Sequence, residues 1–432
     1  MYNLLSKISL SSWDEAWYAE ISKNILKTGE IYKTYFNGNP FFDHPPFVFW
    51  IQSLSYKVFG INEFAVRFPS FILGIGTAVL LFFLGKEMFG KTVGFFAGLT
   101  LLTAPWFLTR SFSGNLDVTL TFLFTLCFYL VLKASKNKKY LVPFSVALSF
   151  LFLTKSLVPF TFLPVAVYLL WKKIRFKDLL IPSMLFAAIV APYFVINFIN
   201  YPTFIQKYLS IGYPGADSKS NIIQNILLTK TYLHNGIGNI FIYGLLSLPL
   251  GLYFYRKKYI PFVIFIATFL LPFAFSSKGH IWHLLPIYPF WILAFHGLIE
   301  SVLFRHKVYK LFKFTLLLLL FLLISWIDVK KNWYEIINVS AYTTDMEILS
   351  LKAKEFNYPL VLDDDAVPEV LFYSDKGKVE RTSGRGDLRR RFDLSNEFLL
   401  ITRDWRLDEE KVLPKEYTLI AKDRDKVLIL KK

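Results

Sequence analysis

Between about residue 67 and residue 327 the chain alternates long apolar runs with short charged connections. Runs near twenty residues match the length needed to cross about 30 Å of hydrocarbon as a helix. The pattern predicts spans over 67–86, 92–109, 117–134, 140–154, 157–171, 178–199, 237–254, 260–275, 282–300 and 309–327, about ten in all. Ahead of them, Trp17, Ile21, Ile25 and Leu26 recur at helical spacing with charges between, as in a helix lying along a membrane surface. Pro45-Pro46 opens a second such segment through Phe59, because proline suits the first turn of a helix. After Trp326 charges become frequent and apolar runs shorten. Residues 359–363, 397–402, 417–421 and 427–430 read as strands, and 367–373 and 386–392 as short helices. The expected architecture is a polytopic α-helical membrane protein of three parts: a first outer segment over 1–66, a transmembrane bundle over 67–327, and a small extracytoplasmic α/β domain over 328–432.

Composition sharpens this picture. The 432 residues are 54% hydrophobic and 19% aromatic, and the bilayer rather than a large soluble core accounts for that. The net charge of +17 sits in short clusters between apolar runs, where topology and anionic headgroups explain it and nucleic-acid binding does not. Cys127 is the single cysteine, so an intrachain disulfide and a cysteine-based zinc cluster are both excluded.

Charge also orients the chain. If the spans alternate, one set of loops carries Lys86 and Lys91, Lys133 to Lys139, Lys172 to Lys177, Arg256 to Lys258, and Arg305 to Lys310. Those loops are expected on the cytoplasmic side. The opposite side then holds Asp14, Glu15, Asp43, Arg110, Asp117, Lys155, the 200–236 loop, Lys278, His280 and His283. Asp117, Lys155 and Lys278 are costly to place near hydrocarbon, and their gathering on one face points to a shared polar site.

Further candidates are weaker. Asp43 and His44 with His280 and His283, or His234, form a His/carboxylate set that could hold a divalent metal ion, against the plainer reading of interfacial histidines bonded to headgroups or carbonyls. The 200–236 loop, with Tyr213 to Asp217, is long enough to fold over a site as a lid. Asp363-Asp364-Asp365 reads as a solvated turn after a strand, and the Arg385 to Arg391 cluster as a solvated face. A transporter or flippase is the competing class, since many helices with embedded charges also describe one. It lacks an internal repeat here, and a structural scaffold would leave the acidic motifs without a role.

Three stretches carry a likeness. Asp14-Glu15-Ala-Trp-Tyr18-Ala-Glu-Ile, Phe42-Asp43-His44-Pro-Pro-Phe-Val-Phe-Trp and Phe59-Gly-Ile-Asn-Glu63-Phe-Ala-Val-Arg67-Phe-Pro-Ser resemble the opening of GT-C membrane glycosyltransferases, in the aminoarabinose-transferase and protein-mannosyltransferase group. Leu116-Asp117, Phe152-Leu-Thr-Lys155-Ser and Trp282-His283-Leu-Leu-Pro286-Ile-Tyr288-Pro continue it in order. The resemblance implies an enzyme of the cytoplasmic membrane that moves a sugar from a polyprenyl-phosphate carrier to a lipid, glycan or protein acceptor on the outer side. It implies Asp14 as the base, with Glu15 second, and Lys155, Lys278 and Arg110 as holders of the donor phosphate. Tyr18, Asp43, His44, Asp117, His283 and Tyr288 would line the site. His44 stands where relatives often carry a lysine and Trp17 where an arginine is usual, so two cations of the group's pattern are replaced. Relatives also begin with a transmembrane helix, whereas about a dozen residues precede Asp14, too few to span. The expectation is a further apolar stretch encoded upstream of Met1.

Overall fold

All ten apolar stretches fold as helices, but fewer than ten are straight crossings. The computed structural model describes residues 2–11, 13–212, 221–275, 279–303, 310–328, 330, 333–337, 340–382, 384, 386–394 and 396–431. Five helices are long and apolar enough to cross a membrane: Glu63–Met88, Asp117–Ala134, Phe176–Asn200, Arg256–Ala274 and Ile281–Val302. Among the described residues two bent pairs bring that number to as many as seven, Lys91–Leu101 with Pro105–Ser111 at 71°, and Ile222–Ile237 with Ile240–Phe254 at 115°. Val158–Leu170 and Phe312–Trp326 are shorter apolar helices beside them. Apolar length counts residues and not direction: Ala104 is extended at φ −63°, ψ 122° before Pro105 restarts a helix, and Gly238, at φ 76°, takes the second bend in a conformation that side chains rarely tolerate. The expected spans 140–154 and 157–171 are the short helix Leu141–Phe152 and the apolar stretch Val158–Leu170.

Contacts divide the described chain into two units, one of residues 42–48 and 67–338, the other of 1–41, 49–66 and 339–432. The larger unit is the helical one. Its centre is a stack of rings, with Phe128 and Phe265 each 4.7 Å from Phe290, and Phe124 5.1 Å from Phe265. These rings tie the Asp117–Ala134, Arg256–Ala274 and Tyr288–Leu303 helices together. Backbones also approach closely. A Cβ on Gly94 would stand 2.2 Å from the Phe82 carbonyl oxygen, so only glycine allows Lys91–Leu101 to lie against Glu63–Met88.

The second unit is built on a five-stranded sheet: β1 (Leu360–Leu362), β2 (Val379–Arg381), β3 (Leu399–Arg403), β4 (Tyr417–Asp423) and β5 (Lys426–Lys431), in the order β2-β1-β3-β5-β4. β1 runs parallel to β2 and β3, while β5 is antiparallel to β3 and β4. Alternate side chains serve opposite faces. Leu360, Leu362, Leu399 and Ile401 pack with the Asp345–Ala353 and Val367–Ser374 helices. Val361, Leu400, Val427 and Ile429 pack with Asp387–Leu394 and Asp404–Glu409. The same unit includes the acidic Asp14–Thr28 helix, so two parts that the sequence separates by some 300 residues fold together.

Candidate active site

In the helical unit the centre of charge is Asp117, 2% exposed, in the first turn of its helix. Asn115 builds that helix start: its Oδ1 accepts from the backbone N–H groups of Asp117 at 3.0 Å and Val118 at 3.1 Å, an N-cap bond pattern. The Asn115 Nδ2 donates to the Arg110 carbonyl at 2.5 Å, which draws Arg110 to the same place. Arg110 Nη2 then donates to Asp117 Oδ2 at 2.7 Å, and Lys155 Nζ lies 3.6 Å from Oδ1. Two cations thus face one carboxylate. The Arg110 guanidinium also lies 5.3 Å from the Trp282 ring centroid, with Trp106 5.8 Å beyond.

Lys155 is held from two sides. It follows the Leu141–Phe152 helix, whose end is fixed by the Phe47 N–H donating to the Leu153 carbonyl at 2.9 Å. On the other side the Tyr208 hydroxyl donates to the Ser156 carbonyl at 3.1 Å. Tyr208 belongs to Phe204–Gly212, in the expected lid; Tyr213 to Asp217 lie outside the described residues. His44 falls within the field of Lys155 and Asp117. Burial, aided by the Lys155 charge and opposed by Asp117, holds its imidazole down to about 3, so it stays neutral at ordinary pH. Burial raises the Asp43 carboxyl above its usual range, opposed by Lys207. Beside this centre lies an apolar cavity of about 660 Å³, whose lining includes Phe152, Leu157, Phe160, Phe186, Phe194 and Tyr208.

Of the remaining expected positions, His283 falls within the field of Asp117, Lys155 and His44. Lys278 lies outside the described residues. Tyr288 is fully buried, with its hydroxyl where a Cβ on Gly236 would be 1.8 Å away, and it packs two helices rather than lining a cavity. His280 stacks on Trp282 at 4.6 Å, and its N–H donates to His283 Nδ1 at 3.4 Å. Among the described residues no three His, Cys, Asp or Glu side chains group to hold a metal ion. The set Asp43, His280 and His283 is therefore not assembled.

In the other unit, Asp14 and Glu15 occupy the first turn of Asp14–Thr28, where the helix dipole favours carboxylates. Asp14 is half-buried. Glu15 is 5% exposed and accepts from the Ser11 N–H at 3.0 Å. Tyr18 is buried, 5.8 Å from Phe49. The helix does not present all its charges to solvent as a surface helix would: Glu20 and Lys23 are each 1% exposed and paired at 2.6 Å. Lys23 Nζ also donates to the Leu371 and Phe372 carbonyls at 3.0 and 2.8 Å, near the end of Val367–Ser374. On the other side of Asp14, the Tyr373 hydroxyl accepts from the Leu10 N–H at 3.0 Å and donates to Glu63 at 2.8 Å. The C-terminal domain thus grips the chain before and after the acidic pair. Sequence reasoning missed Asn115, Lys207, Tyr208, Glu20, Lys23 and Tyr373 as organisers. Only Asn115 carried a local signal, an Asn two residues before a helix-opening Asp.

Known proteins share this construction. ArnT from Cupriavidus metallidurans superposes with a TM-score of 0.75 at 16% identity, over 99% of this chain and 95% of that one. Its structure bound to undecaprenyl phosphate gives 0.74. The fold is GT-C. Residues 43–198 of this chain match the family described as dolichyl-phosphate-mannose-protein mannosyltransferase. A stretch of 127 residues is 35% identical to an uncharacterized Aquifex aeolicus protein, covering 29% of this chain and 26% of that one. Another of 130 residues is 30% identical to the undecaprenyl phosphate-alpha-4-amino-4-deoxy-L-arabinose arabinosyl transferase of Yersinia enterocolitica, covering 29% and 24%. These matches span less than a third of each relative's length. The matched family region contains Asp43, His44, Arg110, Asp117 and Lys155.

Proposed function

We propose that this protein is an integral-membrane glycosyltransferase that takes a sugar from a polyprenyl-phosphate donor and passes it to a cell-envelope acceptor on the outer side of the cytoplasmic membrane. The observation that carries the reading is the placement of Lys155 between a charged centre and an apolar cavity. Arg110 and Lys155 suit a phosphate, whose oxygens gain most from guanidinium and ammonium donors in a low-dielectric setting. The cavity lined by residues flanking Lys155 in sequence suits the polyprenyl chain. ArnT, of the same fold, binds undecaprenyl phosphate, which supports this choice of carrier.

In the proposed reaction an acceptor hydroxyl attacks the anomeric carbon, the bond from that carbon to the phosphate oxygen breaks, and polyprenyl phosphate leaves. Asp14 takes the acceptor proton, with Glu15 as the second candidate. Arg110 and Lys155 hold the charge that remains on the leaving phosphate. His44, neutral at ordinary pH, can accept or donate a hydrogen bond there without adding charge. Orientation is supported by charge at each helix taken singly. Lys86 and Lys91 lie at the carboxyl end of Glu63–Met88, Lys133 to Lys139 at that of the Asp117 helix, and cation clusters lie at the amino ends of Phe176–Asn200 and Arg256–Ala274. These ends are cytoplasmic by the positive-inside rule, which leaves Asp117 at the outer end.

The test is transfer by purified protein in lipid nanodiscs, given radiolabelled polyprenyl-phosphate sugars and cell-envelope acceptors. Label should move from at least one lipid-linked sugar and from no nucleotide sugar. Asp14→Asn should abolish that movement without changing the melting temperature. Absence of transfer from every lipid-linked sugar, or wild-type turnover in Asp14→Asn, would contradict the reading.

A further inference from the structure

The run Asp363-Asp364-Asp365, expected as a solvated turn, lies at the carboxyl end of β1 and lines a cavity of about 380 Å³ with Arg381, Arg403, Trp405 and Arg406. Topology opens that cavity. The helix after β1, Val367–Ser374, packs on the sheet face of Leu360 and Leu362, while the helix after β3, Asp404–Glu409, packs on the face of Val361 and Leu400. β1 and β3 are neighbours, so the chains leaving them part to opposite faces. In open α/β sheets the crevice at such a parting, beyond the carboxyl ends of the strands, is where ligands bind.

The lining indicates what kind of ligand. Each carboxylate is answered by a guanidinium: Arg406 Nε to Asp363 at 3.3 Å, Arg403 to Asp364 at 3.8 Å, and Arg381 to Asp365. Lys426 adds a fourth cation 3.4 Å from Asp364, and these cations are shared with further carboxylates, Arg406 with Glu409 and Glu410, Arg403 with Asp425 and Lys426 with Asp345. With these cations paired to carboxylates the cavity is a poor host for phosphate, and no three carboxylates converge on a metal among the described residues. It keeps oriented donors and acceptors, since the Arg381 and Arg403 side chains are 49% and 43% exposed and that of Asp365 is 65% exposed. Trp405, 51% exposed, adds a flat apolar surface. Fixed donors, fixed acceptors and an open indole complement a sugar ring, whose hydroxyls both donate and accept and whose C–H face is apolar. The volume lies near the lower end of the range of about 300–1,000 Å³ that ligand sites occupy, which suits one ring rather than a long enclosed chain.

We propose that this cavity is a binding site for a neutral saccharide. It holds glycan through Arg381, Arg403 and the Asp363 to Asp365 run, with the ring stacked on Trp405. The proposal does not depend on the membrane unit being a transferase.

The experiment uses the full chain in nanodiscs and saturation-transfer NMR with glucose, galactose, mannose and N-acetylglucosamine, each as monosaccharide and trisaccharide. At least one should receive saturation from the wild-type protein. Trp405→Ala and Arg403→Ala, both at exposed positions, should each weaken that binding roughly tenfold while leaving the melting temperature unchanged. Three results would overturn the proposal: no saturation of any sugar, equal binding in Trp405→Ala, or displacement of the bound sugar by inorganic phosphate or calcium.

Discussion

Two buried carboxylates, Asp117 in the helical unit and Glu20 in the other, are compensated differently. Asp117 faces two cations, and its helix start is capped by Asn115, all supplied between residues 110 and 155. Glu20 has one buried cation, Lys23, which is shared with two carbonyls and Asp375 from the far end of the chain. The outcomes differ accordingly. Burial lifts the Glu20 carboxyl to about 7 despite Lys23. A doubly paired charge is a fixed element of a site, whereas a singly paired one near neutrality is a fastening sensitive to pH.

The largest effect expected from breaking this contrast is at Asp117. Asp117→Asn leaves Arg110 and Lys155 facing each other without a buried counter-charge and should destabilise the protein by about 3–5 kcal/mol. Chemical denaturation in a fixed detergent measures it; a loss below about 1 kcal/mol would mean that the cations relax to solvent at little cost. Lys23→Met should cost less, about 3 kcal/mol near pH 8, because Glu20 can protonate when its partner is gone. A raised carboxyl pKa favours folding at low pH and loses that advantage as pH rises from the unfolded value near 4.5 to about 7. The penalty of Lys23→Met should therefore shrink between pH 8 and pH 5.5, and an equal penalty at both would contradict the singly paired picture.

Asn115→Ala removes an N-cap and should cost about 1–2 kcal/mol, with Arg110 loosened from Asp117 as a secondary effect. His44 provides the finest distinction. Its pKa is lowered to about 3, so the unfolded chain binds its proton first and stability falls as pH drops from about 6.5 toward 3. His44→Gln should remove part of that acid sensitivity while leaving stability at pH 8 nearly unchanged. An identical acid limb in both proteins would place His44 in solvent.

The same contrast explains what the sequence revealed. Asp117 and Lys155 stand out because a charge inside an apolar run is costly, a signal that needs no partner to be visible. Arg110 and Asn115 lie close by, and their roles follow from helix-start rules. Glu20 and Lys23, by contrast, read as an ordinary charged pair on a surface helix. Nothing near residue 23 announces that Leu371 and Phe372 will receive its ammonium group. The bends inside the apolar stretches were hidden for a related reason. Pro105 and Gly238 redirect apolar chain that a window of hydropathy counts as continuous, and the stretch around Lys155 is interrupted for the residue it carries.

The central claim is that Lys155 and Arg110 hold the phosphate of a polyprenyl carrier. Equilibrium binding of undecaprenyl phosphate to the nanodisc-embedded wild type and to Lys155→Ala tests it most directly. The account predicts saturable binding to the wild type and a loss of about 1.5–3 kcal/mol in the variant, the worth of one charge-assisted contact. Equal affinity in the two proteins, or no saturable binding to the wild type, would contradict it.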